Sequence, residues 1–482
     1  MNRRMIINTL GRMSQLAAVL MVLPLVVALI YGEYKQFQSF LIAIAIAFVF
    51  GTLLTLLCRV GDRVIYAKDG FITVAGVWII VSLFGCVPFV ISGEIPSFFD
   101  AFFETVSGFT TTGASILVNV ESLSKSMLFW RSFTHWIGGM GILVFVMAII
   151  PKVSDRSIHL LRAEAPGPVV GKIVPKIKDT AKILYLIYIF LTLLEIALLY
   201  FGGMSLFDSI LHSFGTAGTG GFGIKSDSLA SYSAYSQWVI AVFMMLFGIN
   251  FNLYYLILIR RIGVVIKSSE MWCYLAVIAG CTAIIAANIS SLYNSFGETI
   301  RHAFFQTSSI VTTTGYTTMD FNALWPGLSK GILFILLFAG GCAGSTAGGL
   351  KFSRSIMLVK MIGREIHRMI HPRSVKNVRF EQKSVEENVL NGVAVYFVIY
   401  MFLIFAVFLL ICFEPFGIEG NFSAAVSCVN NVGPAFGGSC PANGFADYSV
   451  FSKFVLSFAM LLGRLEIFPL IIALSPATWT KK

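Results

Sequence analysis

Apolar runs of about twenty residues recur along the chain, near 14–31, 36–58, 70–92, 127–150, 180–201, 236–259, 271–292, 330–361 (interrupted), 389–412 and 451–475. Each is long enough to cross a bilayer's hydrocarbon core as a helix, so ten spans are expected. Four shorter segments lie between paired spans. They are DAFFETVSGFTTTGAS from Asp100, DSILHSFGTAGTGGFG from Asp208, HAFFQTSSIVTTTGYT from His302 and GNFSAAVSCVNNVGPA from Gly420. Each opens apolar or amphipathic, as a half-helix would, then turns polar without charge. Aligned without gaps, all four carry glycine at the fourteenth position: Gly113, Gly221, Gly315 and Gly433. The pattern predicts span, re-entrant loop, span, four times over. The expected boundaries are a two-helix N-terminal region at 1–69 and pore repeats at 70–152, 180–262, 269–361 (second helix interrupted) and 389–478.

Composition sharpens the class. Of 482 residues 57% are hydrophobic and 12% charged, with a mean hydropathy of +0.83. Soluble domains carry roughly 25% charged residues, so the chain reads as an all-α integral membrane protein. The net charge of +11 does not indicate nucleic-acid binding. With the N-terminus inside, 27 of the 35 lysines and arginines fall on the tail and loops assigned to the cytoplasm, which is the positive-inside bias. The basic linker Lys351–Lys383 reads as a solvated cytoplasmic face or a docking surface. The eight cysteines show no metal-ligand spacing. Six fall inside spans, and Cys428 and Cys440 are placed near the outer side.

Non-helical backbone at membrane depth is tolerated only when buried in protein or lining a watery cavity. Four converging loops would make such a cavity. A dehydrated cation needs oxygen ligands, and inward-aimed backbone carbonyls supply them. Glycine reaches the required positive φ at little steric cost. Threonine adds hydroxyl oxygens. No Asp or Glu occurs in 109–115, 217–223, 312–317 or 430–435, so the pattern favours a monovalent cation over a divalent one. The half-helices point partly negative C-terminal ends at the cavity, which also suits a cation. The candidate filter residues are Thr111, Thr112 and Gly113; Gly220 and Gly221, where GTGGFG leaves the register open by one; Thr313, Thr314 and Gly315; and Asn431, Val432 and Gly433. One such loop reads as well as small-residue packing at a helix contact; four in register do not.

The stretch GGCAGSTAGG, from Gly340, interrupts the span after the third filter segment. It lacks the G-x-x-x-x-G-K-[ST] spacing of a phosphate loop. Glycines at this density do not hold a regular helix. It reads as a close helix crossing or as a flexible loop across the pore, with Gly340, Gly341, Gly344, Ser345, Thr346, Gly348 and Gly349 as its working residues. Arg464 stands mid-span in LLGRLEIFPL. A guanidinium cannot shed its proton there, and Glu466, two residues away, is off its helix face. A wet cavity under the filter is the cheaper place, where its charge opposes cation passage. Glu195 is an intramembrane acid, a functional candidate by default or a local ion-pair partner. Asn250 and Asn252 are placed in the inner cavity, and Trp130, His135 and Trp136 at the interface.

The four loops, GGCAGSTAGGLKFSR (Gly340–Arg354) and LLGRLEIFPL (Leu461–Leu470) resemble the Trk/Ktr/HKT superfamily of potassium transporters over essentially the whole chain. The two leading helices suit its TrkH branch. The resemblance implies four M1–P-loop–M2 repeats around a pseudo-fourfold pore and potassium (K+) as the transported ion, without an organic cofactor. It also implies a homodimer in the bacterial inner membrane and a TrkA-like cytosolic NAD/ATP-binding regulatory subunit. It implies gating by the Gly340–Gly349 loop and by Arg464. Glycine rather than serine at Gly113 implies potassium over sodium. A secondary transporter of another solute, driven by an ion gradient, is the alternative; such proteins often carry inverted repeats, whereas these four units share one orientation. No HExxH, paired catalytic acids or nucleophile with a base is present, so no enzyme is expected.

Overall fold

A computed structural model describes residues 2–58, 67–141, 177–437 and 444–479. The N-terminal region is α1 (Arg3–Leu20) and α2 (Val22–Ile30), followed by α3 (Tyr34–Leu57). Gly11 and Gly51 let α1 and α3 touch backbone to backbone: a Cβ on Gly11 would sit 2.8 Å from the Gly51 carbonyl oxygen.

Four repeats follow. In the first, α4 (Ala67–Ser92) precedes the half-helix α5 (Phe98–Phe109), and α6 (Lys125–Gly139) returns. The second has α7 (Ile177–Phe201), half-helix α8 (Leu206–Gly218), α9 (Ala234–Phe247) and α10 (Phe251–Leu258). The third has α11 (Ser269–Ile289), half-helix α12 (Phe296–Val311), α13 (Gly327–Leu336) and α14 (Phe352–Ile370). A two-residue hairpin, β1 (Arg379–Phe380) and β2 (Lys383–Ser384), leads to the fourth: α15 (Glu387–Ile411), half-helix α16 (Gly417–Asn430), α17 (Val450–Arg464) and α18 (Phe468–Leu474).

Three half-helices start on the same signal. Ser97, Ser205 and Ser295 accept from the backbone N–H of Asp100, Asp208 and Glu298, three residues on, at 3.4, 3.0 and 3.2 Å. The serine cap satisfies one of the open N–H groups, and the acid complements the helix dipole. The fourth, α16, begins without a side-chain cap.

The second helices of the second and fourth repeats depart from expectation. Only the third was expected to be interrupted, and spans 236–259 and 451–475 were read as continuous. Instead α9 and α10 meet at 90° across Gly248–Asn250, and α17 and α18 at 120° across Leu465–Ile467. In the first repeat α6 stops at Gly139, with Gly141 at φ +77°. Among the described residues the second helices of the second, third and fourth repeats are thus interrupted. Among the described residues six helices are long and apolar enough to span a membrane, or eight if each bent pair is one span, against the ten expected. The difference is α6, whose continuation lies outside the described residues, and the third repeat, where α13 is short and α14 is amphipathic with a basic last turn. Cys428 also departs from its expected place. It is fully buried in α16 rather than near the outer side, and Cys440 lies outside the described residues.

Candidate functional site

Each half-helix ends in the same hydrogen-bonded motif. The N–H groups of Thr112, Gly220, Thr314 and Val432 donate five residues back, to Ser107, Gly215, Ser309 and Ser427, at 2.9 to 3.0 Å. The N–H groups of Thr111, Thr219, Thr313 and Asn431 donate three residues back, to Gly108, Thr216, Ile310 and Cys428. This is a Schellman ending, which needs a left-handed residue and usually takes glycine. Here the left-handed residues are Thr111, Thr219, Thr313 and Asn431, with φ of +54° to +56°. A β-branched residue in that region is strained, and such strain persists only where the surroundings over-determine it.

Two residues on, the chain turns left-handed again, at Gly113, Gly221, Gly315 and Gly433, with φ of +79°, +72°, +85° and +100°. This repeat fixes the second segment's register on Gly221, with Gly220 matching Thr112. It also brings in Thr219, which the sequence reading left out although the Asp100/Asp208 alignment pairs it with Thr111.

The four strands close on one another. A Cβ on Gly113 would overlap the Gly220 carbonyl oxygen, and one on Gly221 the Thr314 oxygen. One on Gly315 would overlap the Val432 oxygen, and one on Gly433 would lie 2.5 Å from the Thr112 oxygen. The sequence 1→2→3→4→1 is complete. A ring of four carbonyls therefore packs against a ring of four glycines, and any side chain there breaks the seam. Hydroxyls stiffen the odd strands: Thr110 pairs with Thr112 at 2.8 Å and Thr312 with Thr314 at 2.7 Å. Strand 4 uses an amide instead, Asn431 Nδ2 donating to Thr112 Oγ1 at 2.8 Å and Met460 O at 2.9 Å.

The glycine-rich loop lies directly beneath. The Gly348 N–H donates to Thr313 Oγ1 at 2.7 Å, and a Cβ on Gly348 would overlap the Asn430 carbonyl. Cys342 N donates to Gly248 O and Phe251 N to Gly344 O, each at 3.0 Å. Thr346 Oγ1 donates to Phe247 O at 3.3 Å, and Ser345 Oγ to Cys342 O at 2.7 Å. Gly340, Gly344 and Gly349 hold positive φ, and Gly340 and Gly349 touch backbone to backbone where the loop enters and leaves. A Cβ on Gly341 would meet Ala347 at 2.6 Å. The loop thus bridges the third and fourth strands to the break in the second repeat.

Arg464, the last residue of α17, reaches this loop. Its Nη1 donates to Thr346 O at 2.8 Å, and its Nη2 to Gly138 O and Gly139 O at 2.5 and 2.8 Å. One guanidinium therefore connects the ends of the first and fourth repeats' second helices to the loop. Glu466 does look elsewhere: it pairs with Arg354, whose guanidinium lies 4.2 Å from the Tyr396 ring centroid.

Several residues escaped sequence reading or changed place. Glu270, buried at the start of α11, accepts from Ala343 N at 2.7 Å and Ser353 N at 3.0 Å, holding both ends of the loop. Glu104 and Arg131 form a buried pair at 2.6 Å behind the first strand. Pairs this far apart in sequence leave no local pattern. Trp130 and His135 are core residues, not interfacial anchors. Trp130 Nε1 donates to Gly85 O at 2.9 Å, and His135 packs against Gly220. Glu195 is fully buried, and neither carboxylate oxygen has a hydrogen-bond partner among the described residues. Asn250 caps α10, accepting from Asn252 N at 2.9 Å, beside Gly344.

Comparison with known proteins agrees along the whole length. The family model described as cation transport protein, TrkH, matches residues 36–276 and 282–481. The Trk system potassium uptake proteins TrkH of Salmonella typhimurium and of Escherichia coli are each 36% identical, over 99% of this chain and 100% of theirs. The Escherichia coli protein TrkG is 34% identical over 99% of this chain and 98% of its own. The crystal structure of the potassium transporter TrkH from Vibrio parahaemolyticus superposes with a TM-score of 0.88 at 32% identity, covering both chains completely.

Proposed function

The chain belongs to the TrkH family of cation transport proteins, and from that premise we propose that it takes up potassium across the bacterial inner membrane through the ring of four strands. It is a multi-pass protein of that membrane and a transporter, not an enzyme. The observation that carries the proposal is the closed seam of four left-handed glycines against four carbonyls, built from uncharged residues.

Potassium loses water and takes carbonyl oxygens in its place. Thr112, Gly220, Thr314 and Val432 offer one layer of them. Thr111, Thr219, Thr313 and Asn431 offer the layer toward the loop. The Schellman endings direct the half-helices' negative poles at the same axis, which favours a cation. Below, the Gly340–Gly349 loop and the Arg464 guanidinium close the path and open it when the loop leaves Thr313. A TrkA-like cytosolic nucleotide-binding subunit controls that step, and two copies of the chain assemble as a homodimer.

Purified protein in liposomes, with potassium and sodium fluxes measured with and without a pH gradient, tests the reading. Potassium flux exceeding sodium flux supports it. Flux of neither cation, in folded protein both alone and with a nucleotide-binding regulatory subunit added, overturns it.

A further inference from the structure

The outer exits of the four strands are tied together by different chemistries. Between strands 2 and 3 the Tyr316 phenol donates to His212 O at 3.3 Å and Phe222 O at 3.4 Å, and Leu229 N donates to Thr317 O at 3.0 Å. Between strands 3 and 4 the tie is apolar: Pro434 packs against Gly315, and the Phe321 and Phe436 rings meet at 5.4 Å. Between strands 4 and 1 it is backbone, Phe445 N donating to Ser115 O at 2.8 Å.

The seam between strands 1 and 2 uses charge. Arg131 on α6 is 3% exposed and Glu104 on α5 is 1% exposed. Arg131 Nε donates to Glu104 Oε1 at 2.6 Å, and its Nη1 to Gly223 O, past the second filter glycine, at 2.7 Å. Its guanidinium lies 3.5 Å from the Phe222 ring centroid. Glu104 in turn accepts from Ser115 Oγ and Ile116 N, past the first filter glycine, each at 2.9 Å. Arg131 shares the wall of the outer vestibule with all four filter glycines, and among the described residues the other charged residue on that wall is Lys225.

Burying an ion pair costs desolvation that an apolar seam avoids. Among the described residues the ties at the other three strand exits are uncharged, and the Lys453–Asp100 pair between the fourth and first repeats holds the start of α5 and not a strand exit, so bracing alone does not explain a charged pair here. The two charges sit at unequal depth: Arg131 reaches the vestibule wall, and Glu104 backs it from the half-helix. We propose that Glu104 and Arg131 are specificity-determining positioning residues of the filter. They fix the exits of strands 1 and 2, and the balance of their charges sets cation occupancy at the outermost site. This rests on the reading of the strands as a potassium filter.

The proposal gives the two single neutralisations opposite signs. In Glu104→Gln the guanidinium is left uncompensated beside the vestibule and repels incoming cations. In Arg131→Gln the carboxylate is left uncompensated and attracts them. In the double variant neither charge remains. A purely mechanical brace gives both singles the same sign and leaves the double no better.

The test is concentration-dependent potassium flux in liposomes at fixed ionic strength, with sodium competition, after gel filtration has confirmed folding. Half-saturation should rise in Glu104→Gln and fall in Arg131→Gln. Each shift should be on the order of tenfold, the scale of a unit charge about 12 Å away at an effective dielectric near 20. The double variant should return toward wild type. Should Arg131→Gln fail to fold, Arg131→Lys keeps the charge but not the fork, and wild-type half-saturation is expected of it. Shifts of the same sign in the two glutamine variants, a double as impaired as the worse single, or a shifted Arg131→Lys overturn the inference. A wild type that carries no potassium overturns the filter reading itself; a conducting wild type with parallel shifts overturns only this inference.

Discussion

At Gly113 two independent constraints meet. Its φ of +79° is left-handed, and the space where a Cβ would go holds the Gly220 carbonyl oxygen. The second constraint belongs to the Cβ and not to the rest of a side chain. Gly113→Ala should therefore damage selectivity about as much as Gly113→Ser. Reversal potentials in mixed potassium and sodium measure this, and an alanine variant with the wild-type permeability ratio would remove Gly113 from the filter. The left-handed threonines carry a separate expectation. Thr313 is the one whose hydroxyl accepts from the loop, at Gly348 N. Thr313→Val keeps its shape and removes the acceptor, leaving a buried N–H unpaired at about 1–3 kcal/mol. The loop should then loosen and basal flux rise with little change in selectivity; flux that stays at the wild-type level separates loop from filter. Arg464→Ala removes three hydrogen bonds, two to carbonyls of the first repeat and one to the loop. It should raise cation flux in protein that still folds, as single-channel recording or liposome flux will report.

Among the elements, the half-helices were the most legible. Uncharged turns with a common glycine placed all four, and the structure repeats the same hydrogen bonds at each. Register in the second repeat was not legible from GTGGFG alone, since any of its glycines tolerates positive φ. The Asp100/Asp208 alignment selects Gly221, and its positive φ and its contact with the neighbouring strand's Thr314 carbonyl agree. The breaks in the second helices were hidden for a different reason. Gly248–Asn250 and Leu465–Ile467 sit inside apolar runs, and hydropathy does not register a change of direction. At the second break Glu466 and Ile467 hold φ of +50° and +70°, which is tertiary strain and not local preference. The serine caps, with the pattern Ser-x-x-Asp/Glu, carry a stability prediction. Ser205→Ala removes the acceptor for Asp208 N and should cost about 1 kcal/mol, read as a lower thermal midpoint in detergent. The fourth half-helix, starting without such a cap, has no equivalent residue to lose.

On the scale of the whole molecule the loop is anchored at both ends from the lysine- and arginine-rich side. Glu270 receives the N–H groups of Ala343 and Ser353, and Arg354 on α14 pairs with Glu466 at the break of the fourth repeat. Glu270 itself sits where the chain is clasped by the hairpin. Glu381, in the turn between β1 and β2, accepts from Ser268 Oγ, Ser269 Oγ and the Glu270 N–H at 3.0 to 3.2 Å. A partner that moves the hairpin or α14 thereby moves the anchor of the loop, while the filter seam above contains no residue of either element. Regulation and selectivity should then separate. Glu381→Ala is expected to reduce the change in potassium flux produced by adding a cytosolic nucleotide-binding subunit, and to leave the potassium-to-sodium permeability ratio unchanged. Flux in liposomes with and without the subunit, alongside reversal potentials on the same preparation, checks both halves. A full response to the subunit in Glu381→Ala breaks the mechanical link from hairpin to loop, and an altered permeability ratio shows that the hairpin and the filter are not independent.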